Sequence, residues 1–216
     1  MTARPDEARR LHAILDALER AYPDVRPSLN HRSPWELLAA TILSAQCSDA
    51  QVNRVTPELF CRYPGPQDLA RAEPAEVEPL IRSIGLFRGK ARNLVATARA
   101  LVERHGGEVP ADRAALEALP GVGRKTASVV LAQAFGVPAF PVDTHVGRVC
   151  HRLGFAPRPE PRMVEEAVTP LLPPGRWNLA HLLLIRHGRE VCHARRPACN
   201  RCPVARWCPW PHRAKP

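Results

Sequence analysis

Nowhere in the 216 residues does an apolar run reach the length needed to cross a bilayer, because Arg, His or Gly interrupts the longest candidates. Met1 to Arg10 carries charges without an apolar stretch, so no signal peptide is expected, and the chain reads as soluble and cytoplasmic. No segment alternates convincingly between apolar and polar residues, which argues against strands, and no repeat recurs at solenoid spacing. Lysine is scarce, at positions 90, 125 and 215 only, in a chain rich in arginine. The seven cysteines cannot all pair. Four of them fall in the last 25 residues, with Cys47, Cys61 and Cys150 scattered, a distribution that suits a metal centre better than a disulfide scaffold.

What is present is positive charge and helical patterning. The chain has 31 basic against 21 acidic residues, a formal charge of +10, which favours a polyanionic partner without identifying it. The plainer alternative is that the charge only keeps a soluble protein monomeric. Its length allows one domain or two small ones.

Leu11, Ile14, Leu15 and Leu18 recur at helical spacing between Glu7 and Ala21. Ser33-Pro34-Trp35-Glu36 is a helix start, with Ser33 as cap and Glu36 closing a capping box, and the apolar run Leu37 to Leu43 predicts a buried central helix. A further helix begins at Ser48, with Val52, Val55, Leu59 and Phe60 on its inner face. Between them, Ser44 to Ser48 forms a polar linker that either caps a helix or presents Gln46 to a ligand. Leu69 to Arg82 and Lys90 to Arg104 read as helices around Ile84-Gly85-Leu86-Phe87-Arg88-Gly89, where Leu86 either packs under a turn or wedges into a nucleic-acid duplex. Helices over Asp112 to Leu119, Arg124 to Phe135, Thr144 to His151, Met163 to Leu172 and Trp177 to His187 complete an all-helical chain of about ten short helices.

The stretch Leu119-Pro120-Gly121-Val122-Gly123-Arg124-Lys125-Thr126 joins two of these helices. Gly121 and Gly123 permit a turn that side chains would crowd, and it leaves backbone N–H groups outward at a helix N-terminus. Such a seat takes anions, and here its natural ligand is a backbone phosphate. Lys125 alone reads more readily as a phosphate-binding or surface lysine, and Asp143 alone as a helix cap, than either does as a catalytic group.

In the tail, Cys192, Cys199, Cys202 and Cys208 are spaced C-x6-C-x2-C-x5-C. Four thiolates so close in sequence surround one centre, and spacing alone admits zinc or an iron–sulfur cluster. Arg186 to Arg206 holds six arginines and a single acidic residue, Glu190, giving either a phosphate-binding surface or a counterweight to thiolate charge.

Taken in order, the hairpin, Val142-Asp143-Thr144-His145 and the four-cysteine tail resemble the endonuclease III family of helix-hairpin-helix DNA glycosylases over almost the whole chain. The resemblance implies a six-helix barrel containing the helix-hairpin-helix, from Arg26 to Val137. It implies a second helical domain, Met1 to Val25 with Pro138 to Pro216, carrying a [4Fe-4S] cluster on Cys192, Cys199, Cys202 and Cys208, with substrate in the groove between the two. By the same resemblance Lys125 and Asp143 are catalytic, Gln46 fills the space left by an extruded base, Leu86 is the duplex wedge, and Gly121, Gly123, Arg124 and His145 contact DNA. The implied activity is bifunctional: removal of oxidised or damaged pyrimidines from duplex DNA, then abasic-site cleavage by Schiff-base chemistry and beta-elimination, performed by a monomer on chromosomal DNA. Adenine-removing relatives lack a lysine at the position of Lys125, which argues against that substrate. Cys47 departs from the small non-thiol residue usual in the family, and Trp207 to Pro216 has no reading.

Overall fold

The computed structural model describes residues 5–210, and the part of the Trp207–Pro216 tail beyond residue 210 lies outside them. Among the described residues there is no strand. No helix among them is long and apolar enough to cross a membrane. The chain divides into two compact units, Pro27–Val137, and Met1–Arg26 with Pro138–Pro216.

In the contiguous unit, α2 (Pro34–Leu43) starts where Ser33 accepts a hydrogen bond from the Glu36 N–H and proline occupies the first turn. Every residue from Trp35 to Leu43 is buried, so this helix is the unit's core, packed against α3 (Asp49–Arg62), α6 (Phe87–His105) and α8 (Arg124–Ala134). Its buried Glu36 carboxylate is met by the Arg32 guanidinium at 2.8 Å and the Arg32 N–H at 2.7 Å. Ser48 caps α3 through the Gln51 N–H.

The single helix expected over Leu69 to Arg82 is instead α4 (Pro66–Ala70), α5 (Pro74–Val77) and a 3-10 turn over Glu78–Ile81. Pro74 and Pro79 explain the break, since each lacks the N–H that would continue the preceding helix. The helix expected from Lys90 begins earlier, at Phe87, and ends at Gly106 and Gly107, both left-handed, with the Gly107 N–H closing on the Leu101 carbonyl. The short α7 (Arg113–Glu117), capped by Asp112, leads through the glycine turn to α8.

The discontinuous unit contains α1 (Pro5–Ala21), α9 (Thr144–Arg152), α10 (Pro161–Val168) and α11 (Trp177–Glu190). The Leu11, Ile14, Leu15 and Leu18 stripe of α1 is wholly buried with Val146, Val149, Cys150, Leu183 and Leu184. Each such side chain contributes about 1.5–3 kcal/mol by burial, so α1 is integral to this unit.

Candidate functional site

Three elements of the contiguous unit carry candidate residues. The glycine turn is built on α6. Thr97, fully buried, donates its hydroxyl to the Pro120 carbonyl at 2.6 Å, and a Cβ at Gly121 would stand 2.9 Å from the Asn93 amide nitrogen. Gly121 also has a φ of +74°, so both backbone and neighbour require glycine there. Leu119 and Val122 turn inward, and the Val122 N–H bonds the Leu119 carbonyl at 3.1 Å.

Gly123 caps α8 in ordinary extended backbone, and a Cβ there would meet nothing within 4 Å. Nothing inside the protein calls for glycine at 123. What its lack of a side chain does provide is bare approach to the first turn of α8, whose N–H groups have no intrahelical acceptors. Arg124 is exposed and Lys125 half-buried immediately behind this opening. Arg113 on α7 donates to the Ser128 hydroxyl of α8 at 2.9 Å, fixing the two helices around the turn.

Gln46 and Leu86 are the two non-glycine residues with positive φ among the described residues, at +53° and +61°. Gln46 sits third in a turn closed by the Cys47 N–H on the Ser44 carbonyl at 3.1 Å, a position glycine usually takes. Leu86 precedes α6 with its side chain 67% exposed. A left-handed conformation costs a leucine about 1–2 kcal/mol, and burial here offers no return for it. These residues are 40 positions apart, yet their loops meet: the Gln46 carbonyl lies on the side of Gly85 where a Cβ would be 3.9 Å away.

In the discontinuous unit, Asp143 caps α9. Its Oδ1 accepts from the His145 N–H at 2.9 Å and the Val146 N–H at 2.8 Å, so the cap employs one carboxylate oxygen. Arg148 donates to His145 Nδ1 at 3.1 Å, to the Gly188 carbonyl at 2.7 Å and to the Cys192 carbonyl at 2.9 Å. Since arginine only donates, neutral His145 carries its proton on Nε2. His145 and the cysteine loop are thereby held by one guanidinium.

Cys192, Cys199, Cys202 and Cys208 line a single pocket, with His187, Val149, Leu153 and Val204 in its wall. Burial, and then the other cysteines, push the Cys202 and Cys208 thiols up. His187, pushed down to about 4 by burial, stands with Nε2 3.6 Å from Cys202 Sγ and Nδ1 3.2 Å from the Tyr22 hydroxyl. Among the described residues no three His, Cys, Asp or Glu side chains are gathered as a single metal ion would need them.

Several residues that hold these sites escaped sequence reading. Buried Arg152 donates to Cys192 Sγ at 3.3 Å and to the His193 and Ala194 carbonyls at 2.7 Å, and Arg10 reaches the carbonyls of Leu153 and Trp207. Lys90, on α6, donates to the Ala45 carbonyl at 2.6 Å. Their only local signal is a charged residue on an otherwise inward helix face.

The chain's likeness to known proteins runs along the same residues. The model of the HhH-GPD superfamily of base excision DNA repair proteins matches residues 39–174. Endonuclease III of Synechocystis sp. is 48% identical over 197 residues, spanning 91% of this chain and 90% of its own. Endonuclease III of Escherichia coli strain K12 is 46% identical over 203 residues, 94% and 96% of the respective chains. A solved structure of endonuclease III trapped as a covalent intermediate with DNA, in an estranged-adenine complex, has a TM-score of 0.90 at 45% identity and covers 95% of this chain and 97% of that one.

Proposed function

From the premise that the chain belongs to the HhH-GPD superfamily of base excision DNA repair proteins, and is a DNA glycosylase and abasic-site lyase of the endonuclease III kind acting on damaged pyrimidines, we propose how its own residues divide the work. Lys125 is the nucleophile. Asp143 is the carboxylate that stabilises positive charge developing on the sugar. The observation that carries this assignment is the lysine set directly behind a bare helix N-terminus, on the Gly121–Gly123 turn, in a relative of a protein captured covalently on DNA.

The steps follow from that placement. The glycine turn and Arg124 hold a backbone phosphate, and His145 donates from Nε2 to another. The damaged base leaves the stack, which costs a few kcal/mol and least at a damaged pair, while Leu86 wedges the duplex and Gln46 occupies the vacated space. The Lys125 amine then attacks C1', the bond from C1' to the base breaks, and the base departs with its electron pair and takes a proton. Loss of the amine proton and opening of the sugar leave an imine at C1'. A proton lost from C2' expels the 3' phosphate oxygen, breaking the strand by elimination.

For the cysteine tail we propose a [4Fe-4S] cluster held by Cys192, Cys199, Cys202 and Cys208. The four cysteines line one pocket, and among the described residues no three His, Cys, Asp or Glu side chains gather as a single zinc ion would need, so the likeness to endonuclease III is what favours a cluster over zinc. When bound, the cluster would neutralise thiolate charge and cross-link the loop, a structural task. On this reading the contiguous unit is the barrel and the discontinuous unit the iron–sulfur domain, and the enzyme acts as a monomer.

Duplexes carrying thymine glycol, oxidised cytosine, uracil, an adenine mismatch or an abasic site test the whole assignment. Base release and eliminated 3' ends are expected from the oxidised pyrimidines and strand scission from the abasic site, with borohydride trapping on each. Hydrolytic ends would replace elimination by water-dependent strand cleavage, base release without trapping would remove Lys125 as nucleophile, and neither release nor trapping by folded protein would leave only a DNA-binding role.

Leu86→Gly separates strain from function. Relief of the left-handed leucine is worth about 1 kcal/mol and should raise the melting temperature by about 2–4 °C. Base release should nonetheless fall at least about tenfold, since the wedge is gone. A stabilised variant with undiminished base release would remove Leu86 from the mechanism.

A further inference from the structure

The chemistry above uses Lys125 and gives Lys90 no task, yet the surroundings of Lys90 are unusual for an ammonium group. It is 5% exposed, on the inward side of α6. Burial lowers its pKa, partly offset by Cys47 nearby. Its Nζ donates to the Ala45 carbonyl at 2.6 Å, one residue before Gln46. Its own backbone N–H donates to the Leu86 carbonyl at 3.1 Å.

One residue therefore grips the chain beside both left-handed positions. A second tie runs parallel to it, from the Gln51 side-chain amide to the Ser83 hydroxyl at 2.5 Å, and Gly85 faces the Gln46 carbonyl. Two strained residues persist only where their surroundings over-determine them, and a buried charge-assisted hydrogen bond is the strongest such constraint in this pair of loops. The residue type fits the task. A compact ammonium on a four-carbon stem serves a single buried carbonyl, whereas a planar guanidinium would need more acceptors than this site supplies.

We propose that Lys90 is a positioning residue for base extrusion: through the Ala45 and Leu86 carbonyls it joins the Gln46 and Leu86 loops into one rigid element, so that filler and wedge enter the duplex together. This rests on the roles proposed for Gln46 and Leu86. A loose pair of loops would fail at substrates whose base must be driven out and held out. It would matter far less at a preformed abasic site, where no base is stacked or paired.

The test uses Lys90→Met, which keeps the stem and removes the donor. Single-turnover base release from a thymine glycol duplex should fall about 30-fold or more, while strand scission at a preformed abasic site stays within about threefold of the parent. Combining Lys90→Met with Gln46→Ala should lower base release little beyond either change alone, because both act on one step. Equal losses on the two substrates, or fully additive losses in the double variant, would overturn the proposal in favour of a fold role. Should Lys90→Met fail to fold, Ser83→Ala cuts the exposed parallel tie and must show the same substrate selectivity at smaller size, and an unselective effect would overturn it equally. If Gln46→Ala and Leu86→Ala themselves leave base release intact, it is the underlying assignment of those two residues that falls.

Discussion

Replacing Lys125 by alanine is expected to abolish borohydride trapping and to lower scission at an abasic site by about four orders of magnitude or more, the scale on which an enzyme depends on a covalent nucleophile. Duplex affinity should change by less than about threefold, because phosphate contact at the turn is made by backbone N–H groups and by Arg124. Lys125 lies at the second position of α8, outside the buried run Ala127 to Ala132, so its truncation leaves the helix packing untouched. Parallel loss of binding and trapping would instead assign the lysine to phosphate. Trapping that survives would place the nucleophile elsewhere. The readout is a covalent band after reduction, set beside the dissociation constant for the same duplex.

Replacing Cys199 by alanine should produce the largest structural effect. The proposed centre holds about four iron atoms, and loss of one of its four thiolates should take iron content well below that, with loss of the visible charge-transfer absorption. Burial, and then the neighbouring cysteines, raise the Cys202 and Cys208 thiols, which disfavours their charged, metal-binding form once the centre is lost, so they contribute no cross-link. The loop's other ties include the arginine hydrogen bonds to backbone carbonyls, and these cannot replace a four-point attachment. The melting temperature should drop by about 10 °C or more, corresponding to several kcal/mol lost in a chain of this size. Unchanged iron in Cys199→Ala would contradict its place among the ligands.

How far the residues announced this arrangement depends on the range of the interactions concerned. Ser33, Ser48 and Asp112 were readable as helix starts because a cap is settled within three residues, and each accepts the expected backbone N–H. The all-helical class was readable from apolar period alone. Leu69 to Arg82 misled because apolar spacing continues through it while Pro74 and Pro79 divide the backbone, and there the missing N–H groups outweigh the pattern.

Gln46 and Leu86 were visible as candidates, but their left-handed backbone was not, since nothing in a glutamine or a leucine signals positive φ. Lys90 was hidden for another reason. A lysine in a helix reads as solvated surface unless one knows that the carbonyl of Ala45 is folded against it. The arginines around the cysteine pocket were hidden likewise, because most of their partners are main-chain carbonyls, which leave no trace in side-chain chemistry.

Arg10 reaches across 143 residues to Leu153 and 197 to Trp207, which gives the molecule a particular biography. During synthesis α1 carries an apolar stripe whose core partners lie between residues 140 and 204, whereas the unit at residues 27–137 is contiguous in the chain. Loading of the proposed cluster would consequently be a late event in the life of each copy, and loss of α1 would surface as a fault in iron content at the distant cysteine loop.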